Sequence, residues 1–309
     1  MARFLWKGED QRPWLRKTGQ ALEAGLLRAF WAAMGTFSAQ RASALGRGLF
    51  SRLGPRTPKQ RHVLANLAMV CPEADPSRRE ELARRAWGNI GAVIAEFPHL
   101  PRLIEDLEID CRNDDPDFLD RRRPCIFVAA HLGNLYMSAA AIRARGYEVD
   151  LVYSPLANPY LERLVQDRLT RVLHTGFITK QEALRPMLKA LKRGRSVGLH
   201  VDVRVDGGET FPLLGAPATT TTAPAWLALS TGSPIVPVRT ERLADARLRT
   251  TLFPPLIPPP RDCPRDAAVD FLTRQMNEVI GRFIREHPDQ WMCTKRRWPK
   301  PLMRSRGLY

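Results

Sequence analysis

The chain has 309 residues, of which 44% are hydrophobic, and its formal net charge is +16. This length and apolar content are typical of a globular protein rather than a disordered one, and they are sufficient for one large domain or two small ones with a buried core. The positive charge predicts an anionic partner, which is nucleic acid, anionic lipid or an acidic protein. Five scattered cysteines without metal-ligand spacing indicate a reducing compartment and no zinc site.

Residues 1–57 are predicted to be a basic, helical region that docks on a membrane. The first 60 residues hold eleven Lys/Arg and three Asp/Glu, and Trp6, Trp14 and Trp31 are interleaved with this charge. Basic residues and tryptophans beside an apolar helix are typical of the lipid headgroup layer. The apolar segment 21–39 contains two charged residues, which favours lying in the interface over crossing the bilayer. The alternative is a solvated basic arm followed by a core helix.

Residues 58–309 are predicted to be one α/β domain with a helical lead-in (58–120) and a basic tail (294–309). Strands alternate with helices after residue 124, which indicates a mainly parallel sheet flanked by helices. No nucleic-acid recognition module is present, so nucleic acid is not an expected partner. The predicted strands are 125–130, 148–153, 196–201, 234–238 and 248–253, and the predicted helices are 134–145, 158–174, 181–192, 220–231 and 267–286.

A histidine follows the first predicted strand of the α/β region. The run Ile126–Ala130 is apolar and β-prone, and His131 comes directly after it, before a Gly-Asn turn and an alanine-rich helix. Ligands bind at the carboxyl ends of strands in open α/β sheets, and a histidine there can act as a general base near neutral pH. The alternative is a core or capping histidine.

A second polar cluster follows the strand 196–201. Asp202 comes directly after this strand, so it is expected at the same edge of the sheet as His131. The Gly207-Gly208 pair predicts a loop, and the threonines of 219–222 are expected to cap the apolar helix that follows. The alternative is an ordinary strand–loop–helix connection.

Short segments occur in a fixed order from about residue 45 to 300: Leu53–Arg56, Ala65–Glu73, His131–Asn134, Asn158-Pro159, Leu188–Gly194, Asp202, Phe211–Thr219, Ala228–Pro237 and Pro288–Trp298. Together they resemble the bacterial lipid A late acyltransferase family, the lauroyl and myristoyl transferases. The resemblance implies a glycerolipid acyltransferase-like α/β fold. It also implies a protein on the cytoplasmic face of the bacterial inner membrane, held peripherally or by a single N-terminal anchor.

The activity implied by the resemblance is transfer of a fatty acyl chain to a hydroxyl of a lipid A precursor. The donor is acyl carrier protein, or alternatively coenzyme A, and the acceptor is a phosphorylated glycolipid. Acyl carrier protein, the membrane and the glycolipid are all acidic, which suits the basic chain. No metal or other cofactor is expected. Another membrane lipid as acceptor is the alternative within the same enzyme class.

One position departs from the family pattern. The family histidine is followed five residues later by Glu or Asp, whose carboxylate orients the imidazole, whereas this chain has Tyr136 there. A phenol is neutral at pH 7 and can only hydrogen-bond. Three hypotheses follow: Asp202 replaces the missing carboxylate, Tyr136 orients His131 itself, or the protein binds lipid or carrier protein without turnover. The expected catalytic residues are therefore His131, Tyr136 and Asp202.

Three further residues are expected to contact substrate. Asn134, after Gly133, is expected to fix the turn or to meet the substrate. Arg168 or Arg171 is expected to hold a lipid phosphate or to stabilise the oxyanion, because arginine suits such contacts. For both arginines the alternative is an exposed helix face.

Overall fold

A computed structural model of the protein describes residues 13–112 and 123–308. Trp6, the remainder of residues 1–12 and the last residues of the predicted lead-in lie outside the described residues. The N-terminal part is helical as far as residue 105. Its helices are α1 (Pro13–Gly35), α2 (Ala39–Leu53), α3 (Gln60–Val70), α4 (Pro76–Glu96) and α5 (Leu100–Glu105).

The long helix α4 is the centre of this helical part. Asp75 caps its first turn by accepting a bond from the Arg78 amide at 2.7 Å, and the proline at its first position fits there because it needs no donor. Helix α2 crosses α4 so closely that a Cβ on Gly46 would lie 2.3 Å from the Gly91 carbonyl oxygen. No helix within residues 13–112 and 123–308 is long and apolar enough to cross a membrane.

A seven-stranded sheet forms the rest of the core, in the order β1-β9-β8-β2-β5-β3-β4. The five strands from β8 to β4 are parallel, whereas β9 runs antiparallel to β8 and pairs in parallel with β1. The carboxyl ends of the five parallel strands therefore lie at one edge. The strands are β1 (Glu108–Cys111), β2 (Ile126–Ala129), β3 (Val149–Tyr153), β4 (Gly176–Thr179), β5 (Ser196–His200), β8 (Ile235–Arg242) and β9 (Leu248–Leu252).

Helices cover both faces of the sheet. Ile126 and Val128 of β2 pack into the core on one face, and Phe127 and Ala129 pack into the core on the other. This explains why β2 is apolar at every position rather than alternating. The covering helices are α6 (Tyr136–Ala144), α7 (Pro159–Leu173), α8 (Leu184–Lys192), α9 (Ala223–Thr231) and α10 (Arg265–Glu286), and α11 (Lys300–Ser305) ends the described chain.

The predicted fold class is confirmed, and Gly207 and Gly208 lie in a turn and loop before residue 209 as predicted, but the capping role predicted for the threonines of 219–222 is wrong. Residues 209–220 instead form an antiparallel hairpin of β6 (Glu209–Leu213) and β7 (Ala216–Thr220). Thr219 and Thr220 thus belong to a strand rather than to a helix cap. Thr221 accepts a bond from the Ala223 amide at 3.3 Å, and Thr222, at the capping position, makes no side-chain capping bond. Strands β1 and β4 were also missed: no residue of either is fully buried, so neither shows the apolar run that predicted β2.

Candidate active site

His131 lies two residues beyond the end of β2, at the carboxyl edge of the parallel strands. The turn that follows contains Gly133 at φ +56°, where a Cβ would lie 2.9 Å from the Thr240 carbonyl oxygen. Glycine is required there both by the positive φ and by this close approach. The side chain of His131 is 30% exposed to solvent, so substrate can reach its ring.

The ring of His131 is hydrogen-bonded to Asp202, as one of the three hypotheses requires. His131 Nδ1 lies 2.7 Å from Asp202 Oδ1, and Asp202 is only 4% exposed. The register of the sheet explains this contact: Ala129 of β2 is paired with His200 of β5, and each site residue follows two positions later. A carboxylate can only accept, so Nδ1 carries the proton and Nε2 is left with a free lone pair.

Asp202 is held from its other side by an indole. Trp291 Nε1 donates to Asp202 Oδ2 at 2.8 Å, and Trp291 is 2% exposed. Burial acts to raise the pKa of Asp202, but His131 and the Trp291 bond outweigh burial and hold this pKa well below its usual range. Asp202 is therefore ionised wherever His131 operates.

The pKa of His131 is shifted in the opposite direction. Burial acts to lower it, but the charge and hydrogen bond of Asp202 more than offset burial, and the pKa of His131 lies above its ordinary value. Lys295 and Lys180, both exposed, act against this rise through their positive charges. The pair thus has the properties of a general base and its orienting carboxylate.

A second histidine stacks on the first. The ring centroids of His200 and His131 are 4.4 Å apart, with 30° between the planes. Burial, and then the neighbouring His131, lower the pKa of His200 to about 3, so its ring is neutral at pH 7. His200 Nε2 is buried and has no hydrogen-bond partner among residues 13–112 and 123–308. The sequence gave no signal of this stacking.

Tyr136 begins helix α6 and belongs to an aromatic cluster. Its ring meets Phe97 edge-on at 5.7 Å, and Phe97 stacks on Trp31 at 4.2 Å. Burial raises the pKa of Tyr136 to about 12. No hydrogen bond joins Tyr136 to His131 in the described part of the chain, and Asp202 already occupies the ring nitrogen that the motif carboxylate would orient.

Asn134 is fully buried within the turn that follows His131. Its Nδ2 donates to Glu96 Oε2 at 2.9 Å, and its Oδ1 accepts from the Tyr136 amide at 3.2 Å. These two bonds join the turn to helices α4 and α6. Of the two roles expected for Asn134, fixing the turn is the one that these contacts serve.

The two predicted phosphate ligands lie on helix α7. Arg168 donates to the carbonyl oxygens of Phe97 at 3.1 Å and Pro98 at 2.5 Å, so its guanidinium is engaged by the backbone after α4. Arg171 is exposed and donates to the Asp167 carbonyl of its own helix at 2.8 Å. Neither arginine bonds to His131 or Asp202 in the described residues, and their contact with substrate stays a prediction.

Sequence reasoning missed the residues that hold the pair in place. Trp291 was noticed only as part of the segment Pro288–Trp298, and its role depends on a contact 89 positions away. Glu96 and Arg242 carried no local signal, because a charged residue on a helix or strand is usually exposed. Within the described residues, no group of three or more His, Cys, Asp or Glu side chains is arranged to hold a metal ion.

Comparison with known proteins indicates the family to which the chain belongs. No curated protein is significantly similar to the chain in sequence. Among solved structures, the chain is similar to the 1-acyl-sn-glycerophosphate acyltransferase PlsC of Thermotoga maritima, at 15% identity and a TM-score of 0.38, over 63% of this chain and 81% of that one. The family model for bacterial lipid A biosynthesis acyltransferases matches residues 10–300. The chain, an acyltransferase, therefore belongs to the bacterial lipid A biosynthesis acyltransferase family.

Proposed function

We propose that this acyltransferase moves a fatty acyl chain from acyl carrier protein to a hydroxyl of a lipid A precursor, at the cytoplasmic face of the bacterial inner membrane. The observation that carries the proposal is the 2.7 Å bond between His131 Nδ1 and Asp202 Oδ1. It supplies the carboxylate that position 136 lacks, and so it favours a working enzyme over a binding protein without turnover.

The reaction proceeds by direct attack of the acceptor. His131 Nε2 takes the proton of the acceptor hydroxyl as its oxygen bonds to the thioester carbonyl carbon. Asp202 stabilises the imidazolium that forms, as the carboxylate does in a catalytic triad. The tetrahedral intermediate then expels the thiolate, which recovers the proton from His131. The products are an ester and the free thiol of the carrier, so that proton and charge balance over the reaction.

The charge around His131 suits anionic substrates. Lys180 and Lys295 are exposed and near enough for their charges to act on His131. The Lys180 amide donates to the Tyr153 carbonyl at 2.8 Å, and the Lys295 carbonyl accepts from Asn66 at 2.7 Å, so both backbones are held. A phosphorylated glycolipid and an acidic carrier protein would both be attracted to this edge of the sheet.

Helices α1 and α2 support the membrane location. They carry seven of the thirteen large hydrophobic side chains that are exposed in the described residues, with Leu22 at 63% and Leu26 at 61%. Between residues 13 and 56, Glu23 is the one acidic residue beside seven Lys/Arg. Exposed apolar side chains among basic ones are typical of helices that lie in the interface of an anionic membrane.

The test is acyl transfer from radiolabelled acyl carrier protein to a tetra-acylated lipid A precursor, with wild type beside His131→Ala. The exposed His174, at the end of α7, provides the control His174→Asn. We expect product with wild type and the control, and a loss of at least 100-fold with His131→Ala. Transfer to a monoacyl glycerophospholipid but not to the precursor would reject lipid A as acceptor. If a folded protein gave no product with either acceptor, the proposal that it catalyses acyl transfer would be rejected.

A further inference from the structure

A buried ion pair lies behind the turn that carries His131. Arg242, the last residue of β8, donates through both terminal nitrogens to Glu96, the last residue of α4, with Nη2–Oε2 at 2.9 Å. Glu96 is 0% exposed and also accepts from Ser43 Oγ at 2.6 Å. Burial acts to raise the pKa of Glu96, but Arg242 outweighs it and keeps the carboxyl ionised.

Glu96 is bonded directly to the turn after His131, and Arg242 is connected to it through Asn89. Glu96 Oε2 accepts from Asn134 Nδ2 at 2.9 Å. On the other side, Arg242 Nε donates to Asn89 Oδ1 at 2.9 Å, and Asn89 Nδ2 donates to the Gly133 carbonyl at 2.9 Å. Gly133 and Asn134 are thus both connected by hydrogen bonds to the buried Glu96–Arg242 pair.

The same network reaches the strap, defined as Gln290–Met292, because Asn89 Nδ2 also donates to the Gln290 carbonyl at 2.8 Å. The Gln290 side chain accepts from the Arg242 amide at 2.6 Å and donates to the Arg242 carbonyl at 3.0 Å. The next strap residue, Trp291, bonds to Asp202, and the Met292 amide donates to the His131 carbonyl at 2.9 Å. The strap therefore touches both halves of the catalytic pair.

We propose that Glu96 and Arg242 are positioning residues for acyl transfer, which hold the turn and the strap so that Asp202 stays bonded to His131. This inference rests on the proposed function for its effect on rate. A buried ion pair adds little stability over an apolar pair of similar volume, so stability alone does not explain its use. Its hydrogen bonds instead reach, through Asn134 and Asn89, the two segments that bear His131 and Trp291.

The test uses the double variant Glu96→Gln/Arg242→Met, which leaves no lone buried charge. Its matched control is Glu286→Gln/Arg239→Met, because Arg239 is a buried arginine of the same strand that pairs with Glu286 and stacks on Phe253 and Phe283. The first readout is the pKa of His131, measured by histidine NMR on the full chain without substrate. The second is kcat/KM for acyl transfer. Asn89→Ala provides a milder variant that leaves the ion pair in place.

We expect the pKa of His131 to fall towards about 6.5 or below in the double variant and to stay at the wild-type value in the control. We expect kcat/KM to fall about 100-fold in the double variant and less in Asn89→Ala, because small displacements of a catalytic group are costly. If His131 titrates alike in all folded variants, the positioning role is wrong. A lower pKa of His131 in the double variant, together with no acyl transfer by the wild-type protein, would support the positioning role and reject the proposed function. If the double variant fails to fold, Asn89→Ala decides by the same two readouts.

Discussion

Trp291 and His131 bond to opposite oxygens of the same carboxylate, that of Asp202. The indole donates to Oδ2 at 2.8 Å and the imidazole to Oδ1 at 2.7 Å. Each oxygen of a buried carboxylate thereby has a donor, which lets the charge persist at 4% exposure. The carboxylate that is hydrogen-bonded to His131 thus follows β5, rather than lying on the helix that follows the histidine.

The first prediction is that Asp202→Asn lowers kcat by about 10²- to 10⁴-fold, because the imidazolium loses its counter-charge and the ring its fixed tautomer. The acid limb of the kcat/KM profile, where His131 must be neutral, moves to lower pH, since without Asp202 burial lowers the pKa of His131. The measurement is a pH–rate profile of acyl transfer.

The control for this variant is Asp206→Asn. Asp206 is exposed, and in the described residues it pairs with Arg204 at 2.6 Å. We expect the control to keep the wild-type profile. A profile of Asp202→Asn that superimposes on wild type would show that Asp202 does not act on His131.

The meeting of Asp202 and His131 was partly predictable. Each residue follows an apolar strand, so both were expected at the carboxyl edge of a parallel sheet. Their adjacency depends on strand order: β5 lies beside β2 although β3 and β4 come between them in the chain. Crossovers of this kind leave no local pattern in the sequence. For that reason Asp202 and Tyr136 remained alternative partners for His131 until the strand order was known.

The missed elements have similar causes. The hairpin of β6 and β7 contains Pro212 and Pro217, paired across the two strands, and no hairpin was predicted there because proline is rare inside strands. The contacts of Glu96 with Arg242 and of Asp202 with Trp291 join positions far apart in sequence. Periodicity predicts which face of an element is buried, but not which polar partner it meets there.

The second prediction concerns the indole donor. Trp291→Phe keeps a ring but leaves Asp202 Oδ2 without its donor, which costs about 1–3 kcal/mol of unfolding free energy. It also raises the pKa of Asp202 and slows transfer. The measurements are urea unfolding and kcat. Trp298→Phe is the matched control, because Trp298 is also buried and its Nε1 has no partner among the described residues. Equal losses in both variants would mean that only packing was removed.

The third prediction separates Tyr136 from Asp202. Tyr136→Phe keeps the contact with Phe97 and removes only the hydroxyl, so we expect kcat within about threefold of wild type, as no described bond joins that hydroxyl to His131. Tyr136→Glu restores the family carboxylate but buries it against an aromatic cluster, so we expect lower stability and no gain in rate. A large loss with Tyr136→Phe, or a gain with Tyr136→Glu, would return the orienting role to position 136.

The fourth prediction is a pH dependence of stability due to His200. Its pKa is about 3 in the folded protein, against an ordinary value of 6.5. Between these values the unfolded chain binds a proton that the folded chain does not, so stability is lost as pH falls from 6.5 towards 3. His200→Phe keeps a ring against His131 and removes this titration. We expect a smaller difference in urea midpoint between pH 7 and pH 5 than in wild type, and an equal difference would contradict the assignment.

The fifth prediction tests the membrane face. Leu22 and Leu26 lie one helical turn apart on α1 and are mostly exposed, so Leu22→Glu/Leu26→Glu should leave the fold intact. Burying each leucine in a bilayer contributes about 1.5–3 kcal/mol, and the double variant should lower vesicle affinity at least tenfold. The measurement is co-sedimentation of the full chain with vesicles containing anionic lipid. Leu184→Glu, at an exposed leucine of α8, should bind as wild type does. Equal binding by all three proteins would exclude α1 from the contact with the membrane.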